Sequence, residues 1–316
     1  MEPRELEIGN REHETAATVA LLRSGVVSPP HRLSPFLEEL GSAVKLVQLS
    51  EEDRMFAPDS PTHDFIGAVV ADDIDSALSE VRRWTRRGLD FRTVLDADYP
   101  PSLLTIFNNP PLLFVEGQWK EEIDSLSVAV VGTRSASKEG IARARRVSRE
   151  LVEAGFTVVS GMAKGIDTAA HEAALEADGR TVAVMGTGID DRYPAANAEL
   201  AESILSSGSA LLSQFFPEQG PRRWTFPQRN VTMSGLTLAT VVVEAAATSG
   251  ARMQARVALQ HGRTVFLLRS LVESHDWARK YVEEGVYDTH AITVETTDDV
   301  VDRLRHPAAE PLVAVA

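Results

Sequence analysis

Between residues 127 and 268 the sequence alternates short apolar runs with helical patterns, and that alternation leaves few folds open. The apolar runs are Ser127–Val131, Phe156–Ser160, Thr181–Met185, Ala210–Ser213, Leu238–Val243 and Thr264–Leu268. Each is of strand length and rich in β-branched or small apolar residues. Helical patterns lie between them. The first places apolar residues at Ile141, Ala144, Val147, Leu151 and Val152 and ends at Gly155. The others are an Ala-rich stretch through Leu175, about Asn197 to Leu205, and about Arg252 to Gln260. Strands that alternate with helices build a parallel sheet through right-handed crossovers. Strands that are apolar almost throughout imply helices on both faces. The expected fold class is therefore α/β, with a doubly wound, mostly parallel sheet.

The flanks read differently. Residues 1–92 are expected to form a small helical domain. Its patterns are Ala16–Leu22, Leu33–Leu40 ending at Gly41, and Ile74–Trp84 stopping at Gly88. Asp96 to Gly117 carries Pro100, Pro101, Pro110 and Pro111 and reads as a connector into a short strand, Leu112–Val115. The α/β domain is expected over residues 93–305, with a loose tail at 306–316.

Composition removes several classes of function. The chain has no cysteine, so disulfides, thiolate metal sites and cysteine nucleophiles are excluded. That absence fits a reducing cytoplasm. The opening MEPRELEIGNREHE has no apolar core of a signal peptide, and no run is long enough to span a bilayer. A cytoplasmic protein without a membrane partner is expected. The formal net charge of −14 argues against a polyphosphate partner unless the positive charge is locally concentrated.

The strand-end rule locates the chemistry. In a doubly wound sheet, ligands bind outside the carboxyl ends of the strands. That edge collects Gly132-Thr133-Arg134-Ser135, Ser160-Gly161-Met162-Ala163-Lys164-Gly165 and Gly186-Thr187-Gly188. It also collects the stretch from Gln214 to Phe226 and the stretch from Glu244 to Gly250. Glycines let backbone N–H groups approach an anion, helix N-termini favour phosphate, and Arg134 and Lys164 add full charges. Any single loop here is an ordinary tight turn; five on one edge, with cations, read as a phosphate-binding edge. A dinucleotide is not indicated. The first loop lacks the second glycine of the fingerprint, and the second strand ends in Ser160-Gly161 rather than an acid. No P-loop motif occurs, and no cofactor is expected.

The stretch after the fourth strand narrows the ligand. It runs Phe215-Phe216-Pro217-Glu218-Gln219-Gly220-Pro221-Arg222-Arg223-Trp224-Thr225-Phe226-Pro227-Gln228-Arg229-Asn230. Aromatics interleaved with arginines suit a single-strand groove, where bases stack on rings and cations track the backbone. Phe215 reads as a cap on the sheet edge, whereas Phe226 sits among Arg222, Arg223 and Arg229. The basic runs Lys138/Arg143/Arg145/Arg146 and Arg82/Arg83/Arg86/Arg87 read as solvated helix faces.

These motifs together resemble the DprA/Smf family of DNA-processing proteins. The matching segments are Gly132-Thr133-Arg134, Ser160 to His171, Gly186 to Asp190 with Tyr193-Pro194, Phe226 to Asn230, and Val243-Glu244-Ala245 with Ser249-Gly250. Tyr99-Pro100-Pro101, Pro110-Pro111 and Gly117 are similar to the family's lead-in. The resemblance implies an extended Rossmann-like fold, homodimerisation, and single-stranded DNA held at this edge. It also implies transfer of that DNA to the RecA recombinase, as in natural transformation, without enzymatic turnover. Carried over by motif, Arg134 grips phosphate while Gly132, Thr133, Ser160 and Gly161 donate around it. Arg223 and Phe226 hold backbone and base, and Arg229 supports them. Lys164, Gly165, Arg222, Asn230, Ser249 and Gly250 complete the expected site. The chain departs from the family pattern at Val231, at Arg252 and at Leu268-Arg269-Ser270, and the winged-helix module of many members is not expected.

Two other readings remain open on residues alone. Glu244, at a strand end, is a candidate acid or base for a nucleotide-acting enzyme, or else a loop-fixing residue. Asp167 reads as an N-cap and His171 as a packed helix residue. A DNA-sensing regulatory or defence protein would use the same pocket.

Overall fold

The structure is a computed structural model and describes residues 6–50, 52–53 and 60–306. The expected tail beyond His306 lies outside the described residues. The chain divides into two compact units. The smaller takes the described residues up to 116 together with 187–191 and 212–220; the larger takes 117–186, 192–211 and 221 onward.

The smaller unit opens with α1 (Arg11–Ser24), started by the Asn10 side chain and stopped by Gly25 in the left-handed region. Then come α2 (Ser34–Leu40), α3 (Ala43–Val47) and α4 (Ala71–Arg86). Ala16, Val19 and Ala20 of α1 pack on Leu78, Val81 and Trp84 of α4. Buried Glu14 accepts from the Ser42 hydroxyl and the Ala43 N–H, both at 2.7 Å, and so fixes the start of α3. Strand β1 (Asp90–Thr93) pairs antiparallel with β2 (Leu112–Gly117), Asp90 opposite Val115 and Thr93 opposite Leu112. β2 was expected; β1 was not, because Asp-Phe-Arg-Thr is polar and half-buried and carries no apolar run.

The larger unit begins with the short α5 (Glu121–Asp124), then β3 (Ser127–Gly132), α6 (Lys138–Glu153), β4 (Thr157–Ser160), α7 (Ile166–Glu176), β5 (Thr181–Val184) and α8 (Ala198–Ser206). Strand β6 (Ala210–Ser213) carries the chain into the smaller unit. The chain returns with α9 (Thr225–Leu236), β7 (Ala239–Glu244), α10 (Gly250–Gln260) and β8 (Thr264–Leu268). It ends with α11 (Arg269–Ser274), α12 (Asp276–Glu283), β9 (Ile292–Val294) and α13 (Thr297–Arg305). The strands lie in the order β5-β4-β3-β7-β8-β9, all paired parallel. The expected doubly wound, mostly parallel α/β class holds. Winding runs outward from β3 through β4 and β5, then outward on the other side through β7, β8 and β9. The reversal between β3 and β7 is the switch point at which such sheets bind ligands. One core joins Val128, Val130, Val158, Val241 and Phe266 of the strands to Ala144 and Leu151 of α6 and Ala170 and Ala174 of α7. Each fully buried Val or Leu contributes about 1.5–3 kcal/mol.

Two departures from the sequence reading matter. The stretch read as a loop to Phe226, with its Arg/aromatic pattern to Asn230, becomes helical at Thr225. Pro227 is the third residue of α9, where a missing N–H costs no helical hydrogen bond. The structure also continues past Leu268 through α11, α12, β9 and α13. β9 has only three residues, too few to stand out from its polar flanks.

Candidate functional site

A cavity of about 410 Å³ opens at the carboxyl ends of β3 and β7. Gly132, Thr133 and Arg134 reach it from the loop after β3, and Ala163 and Asp167 from the loop after β4 and the start of α7. Ala246, Thr248, Ser249 and Gly250 come from the loop after β7. Phe226, Pro227, Arg229, Asn230 and Met233 come from α9, and Met253 and Gln254 from α10.

Local chemistry holds these loops together. Gly165 has φ +80°, and a Cβ there would lie 2.5 Å from the Thr133 carbonyl oxygen and 2.8 Å from that of Arg134. Only glycine lets the second loop rest on the first. The Thr133 N–H donates to the Glu244 carbonyl at 2.7 Å. The Glu244 carboxylate accepts from the Ser137 N–H and, at 2.8 Å, from its hydroxyl. Glu244 thus fixes a loop and does not line the cavity. Ser249 starts α10, its side chain accepting from the Ala251 N–H at 3.2 Å. The N-terminus of α10 therefore borders the cavity, with the positive end of its dipole there.

The cavity wall contains a buried pair of opposite charges. Arg229 is 6% exposed and donates through Nη1 to the carbonyls of Gly161 (2.5 Å) and Val184 (2.7 Å), and through Nε to Asn230 Oδ1 (3.2 Å). Burial lowers its pKa, while Asp167 acts in the opposite direction. Burial likewise pushes the Asp167 carboxyl above its usual range, opposed by Arg229 and by the N–H groups of Ala163, Gly161 and Gly132. This corrects one expectation. Asp167 is not the N-cap of α7, since Gly165 holds that position. The Ala163 N–H donates to the Asp167 carboxylate at 3.3 Å. His171 is fully buried with Nδ1 2.7 Å from Thr181 Oγ1, and burial followed by the nearby Arg229 lowers its pKa to about 3. It is a packed, neutral helix residue.

The mouth is cationic and aromatic. Exposed Arg134 sets its guanidinium over the Phe226 ring, 5.2 Å from the centroid. Tyr193, 40% exposed, approaches the same ring at 5.8 Å. A Cβ on Gly186 would lie 2.6 Å from that ring, so Phe226 packs directly on this backbone.

The remaining expected residues divide. Ser160 is fully buried and its hydroxyl donates to the Val130 carbonyl at 2.7 Å, so it serves the sheet. Lys164, Arg222 and Arg223 are exposed but outside the cavity lining. Phe215 and Phe216 belong to the smaller unit, where Phe216 packs against Trp84 and Phe114. Trp224 is 50% exposed. Arg145 pairs with Glu172 and Glu176, Arg82 with Glu12 and Arg87 with Asp190, as befits solvated faces. Arg252 donates to the Ala247 carbonyl at 2.9 Å and faces Trp277 and Tyr281, and Arg269 pairs with Glu295. Sequence reasoning missed Met233, Met253 and Gln254. Spacing offered one signal, since Met253 and Gln254 follow Gly250 by three and four residues and share its helix face. Among the described residues no cluster of three or more His, Asp or Glu side chains could hold a metal ion, and no helix is long and apolar enough to cross a membrane.

Comparison with known proteins identifies the family and the fold. Protein Smf of Escherichia coli is 44% identical over 170 residues, 54% of this chain and 45% of its own. DNA processing protein DprA of Streptococcus pneumoniae is 41% identical over 198 residues, 61% of this chain and 68% of its own. The chain spans about half the length of some of the curated relatives it matches. The solved structure of the Streptococcus pneumoniae protein superposes with a TM-score of 0.69 at 30% identity, covering 89% of this chain and 95% of that one. DNA processing protein A of Helicobacter pylori shares the fold, with a TM-score of 0.59 at 24% identity over 69% of this chain and 97% of that one. The family model of DNA recombination-mediator protein A matches residues 90–305, and the chain belongs to that family.

Proposed function

We propose that the protein binds single-stranded DNA along the cavity edge and serves DNA processing in recombination. Arg134 carries the reading. It is a full, exposed cation at the mouth of a cavity at the sheet's switch point, beside the N-terminus of α10. A guanidinium there pairs with a phosphate, and Ser249 and Gly250 add a helix N-terminus to the same anion. Thr133 lies next to it, and Lys164, Arg222 and Arg223 extend the charge outward. Phe226 orients Arg134, and Arg229 and Asn230 brace the wall from beneath. Family membership supports recombination as the setting, and the Helicobacter pylori relative is a single-stranded DNA binder. In this reading the protein is a cytoplasmic homodimer that protects the strand and passes it to RecA, with no chemical turnover.

The test is an anisotropy titration with single-stranded, duplex and mononucleotide ligands at several salt concentrations. Single strands should bind more tightly than duplexes, and log K should fall linearly with log salt, by about 0.7 per phosphate contacted. No binding to oligonucleotides at low salt, or equal binding by Arg134→Ala, would overturn the reading.

A further inference from the structure

We propose that the cavity takes one whole nucleotide unit, with its phosphate at Arg134 and the α10 N-terminus and the edge of its base against Gln254. The inference rests on the nucleic-acid reading and names what enters the cavity.

Gln254 carries it. The residue is 1% exposed, lines the cavity, and its Oε1 is buried with no hydrogen-bond partner. The other end of the amide makes only a 3.5 Å contact with Thr240 Oγ1. Buried polar atoms are almost always paired, and one left unpaired beside a cavity is a vacant acceptor for a ligand. Placement adds a second argument. Gln254 lies four residues after Gly250, on the same face of α10 and about one turn, roughly 5.4 Å, deeper along the axis. A phosphate at the helix start and a base at the next turn are joined by a sugar over that interval. Met233 and Met253 line the space beside Gln254, and thioethers suit the face of a flat ring. The volume of about 410 Å³ falls in the range of roughly 300–1,000 Å³ for small-ligand clefts.

Oε1 needs a donor, and an exocyclic amino group supplies one. Adenine, cytosine and guanine present such a group; thymine has a carbonyl oxygen in its place and only its ring N3–H to donate. The cavity therefore favours amino-bearing bases, in a strand whose base turns out of the stack or in a free mononucleotide.

Calorimetry with the four deoxynucleoside monophosphates and anisotropy with dA-, dC- and dT-oligomers separate the two sources. The adenine and cytosine nucleotides should bind about tenfold more tightly than the thymine nucleotide, the effect of one hydrogen bond. Gln254→Leu should erase that difference while keeping or raising Tm, because it removes an unpaired amide. Gln254→Glu keeps an acceptor and should keep the preference. Equal affinity for all bases, or an undiminished preference in Gln254→Leu, overturns the proposal. Should oligomers bind through Arg134 with no base preference, the nucleotide cavity fails and the DNA reading stands. Should mononucleotides bind through Gln254 while no oligomer binds, the cavity stands and the DNA reading fails.

Discussion

Arg134 and Phe226 form a stacked pair at the cavity mouth, guanidinium over ring at 5.2 Å. The ring is itself packed on the Gly186 backbone, so the guanidinium rests over a seated aromatic face. Pre-positioning lowers the entropy lost when a phosphate binds. Arg134→Ala should weaken single-strand binding about tenfold and reduce the salt slope by roughly one contact. Phe226→Leu keeps the charge and should keep the salt slope while still losing affinity. A salt slope unchanged in Arg134→Ala would remove Arg134 from the phosphate contacts.

Arg229 and Asp167 should behave as a unit of stability. Arg229→Met orphans the carbonyls of Gly161 and Val184 and leaves Asp167 without its cation. Losing one partner of a buried pair costs about 3–5 kcal/mol. Arg229→Met with Asp167→Asn should recover part of that cost, because the remaining side chain then carries no charge. Urea unfolding of the four proteins measures the coupling, and strict additivity would show that the two residues do not interact.

Glu244 offers the sharpest division between binder and enzyme. Its carboxylate is committed to Ser137. Glu244→Gln should leave single-strand affinity within about twofold and lower stability by about 1 kcal/mol. A wild-type nucleotide turnover that Glu244→Gln abolishes would instead establish an active site here.

The sheet was legible because Val128, Val158 and Val241 sit in apolar runs that only a twice-covered strand needs. The glycine loops were legible because Gly165 and Gly186 each mark a backbone that another group touches. α9 was hidden because its buried face is polar: Arg229, Asn230, Thr232 and Ser234 are all buried, and periodicity tracks only apolar burial. The Asp167 arrangement was hidden for a different reason. Whether a loop N–H faces a ligand or a side chain four residues onward depends on distances that spacing does not encode. Gln254 looks in sequence like any polar residue of an amphipathic helix, and only its burial beside a cavity singles it out.

Gly165→Ala tests the contact between the first two loops. Its φ of +80° is strained for any residue with a Cβ, and that atom would meet the Thr133 carbonyl at 2.5 Å. The neighbour is backbone and cannot rotate aside. The variant should lose about 2 kcal/mol or more and bind single strands more weakly, since Thr133 and Arg134 must move. A Tm and an affinity both equal to wild type would show that the loops do not need this contact.

Two histidines set a pH dependence of stability. Burial first, then a neighbouring arginine, lowers His171 to about 3 and His261 to about 4, from an ordinary 6.5. Below pH 6.5 the unfolded chain takes up protons at these positions that the folded chain refuses. Stability is therefore full above pH 6.5 and is lost as pH falls toward 4, by up to roughly tenfold in the folding equilibrium per pH unit for each histidine. Asp167 acts oppositely. Its raised pKa lets the folded state hold a proton that the unfolded state releases, so it adds stability as pH falls through that raised pKa. The two histidines act between pH 7 and 5. Urea midpoints over that interval should rise with pH in the wild type. His171→Gln, which keeps a hydrogen-bonding group near Thr181, and His261→Asn should each flatten the rise. An unflattened slope in both variants would mean that neither histidine is held neutral by the fold.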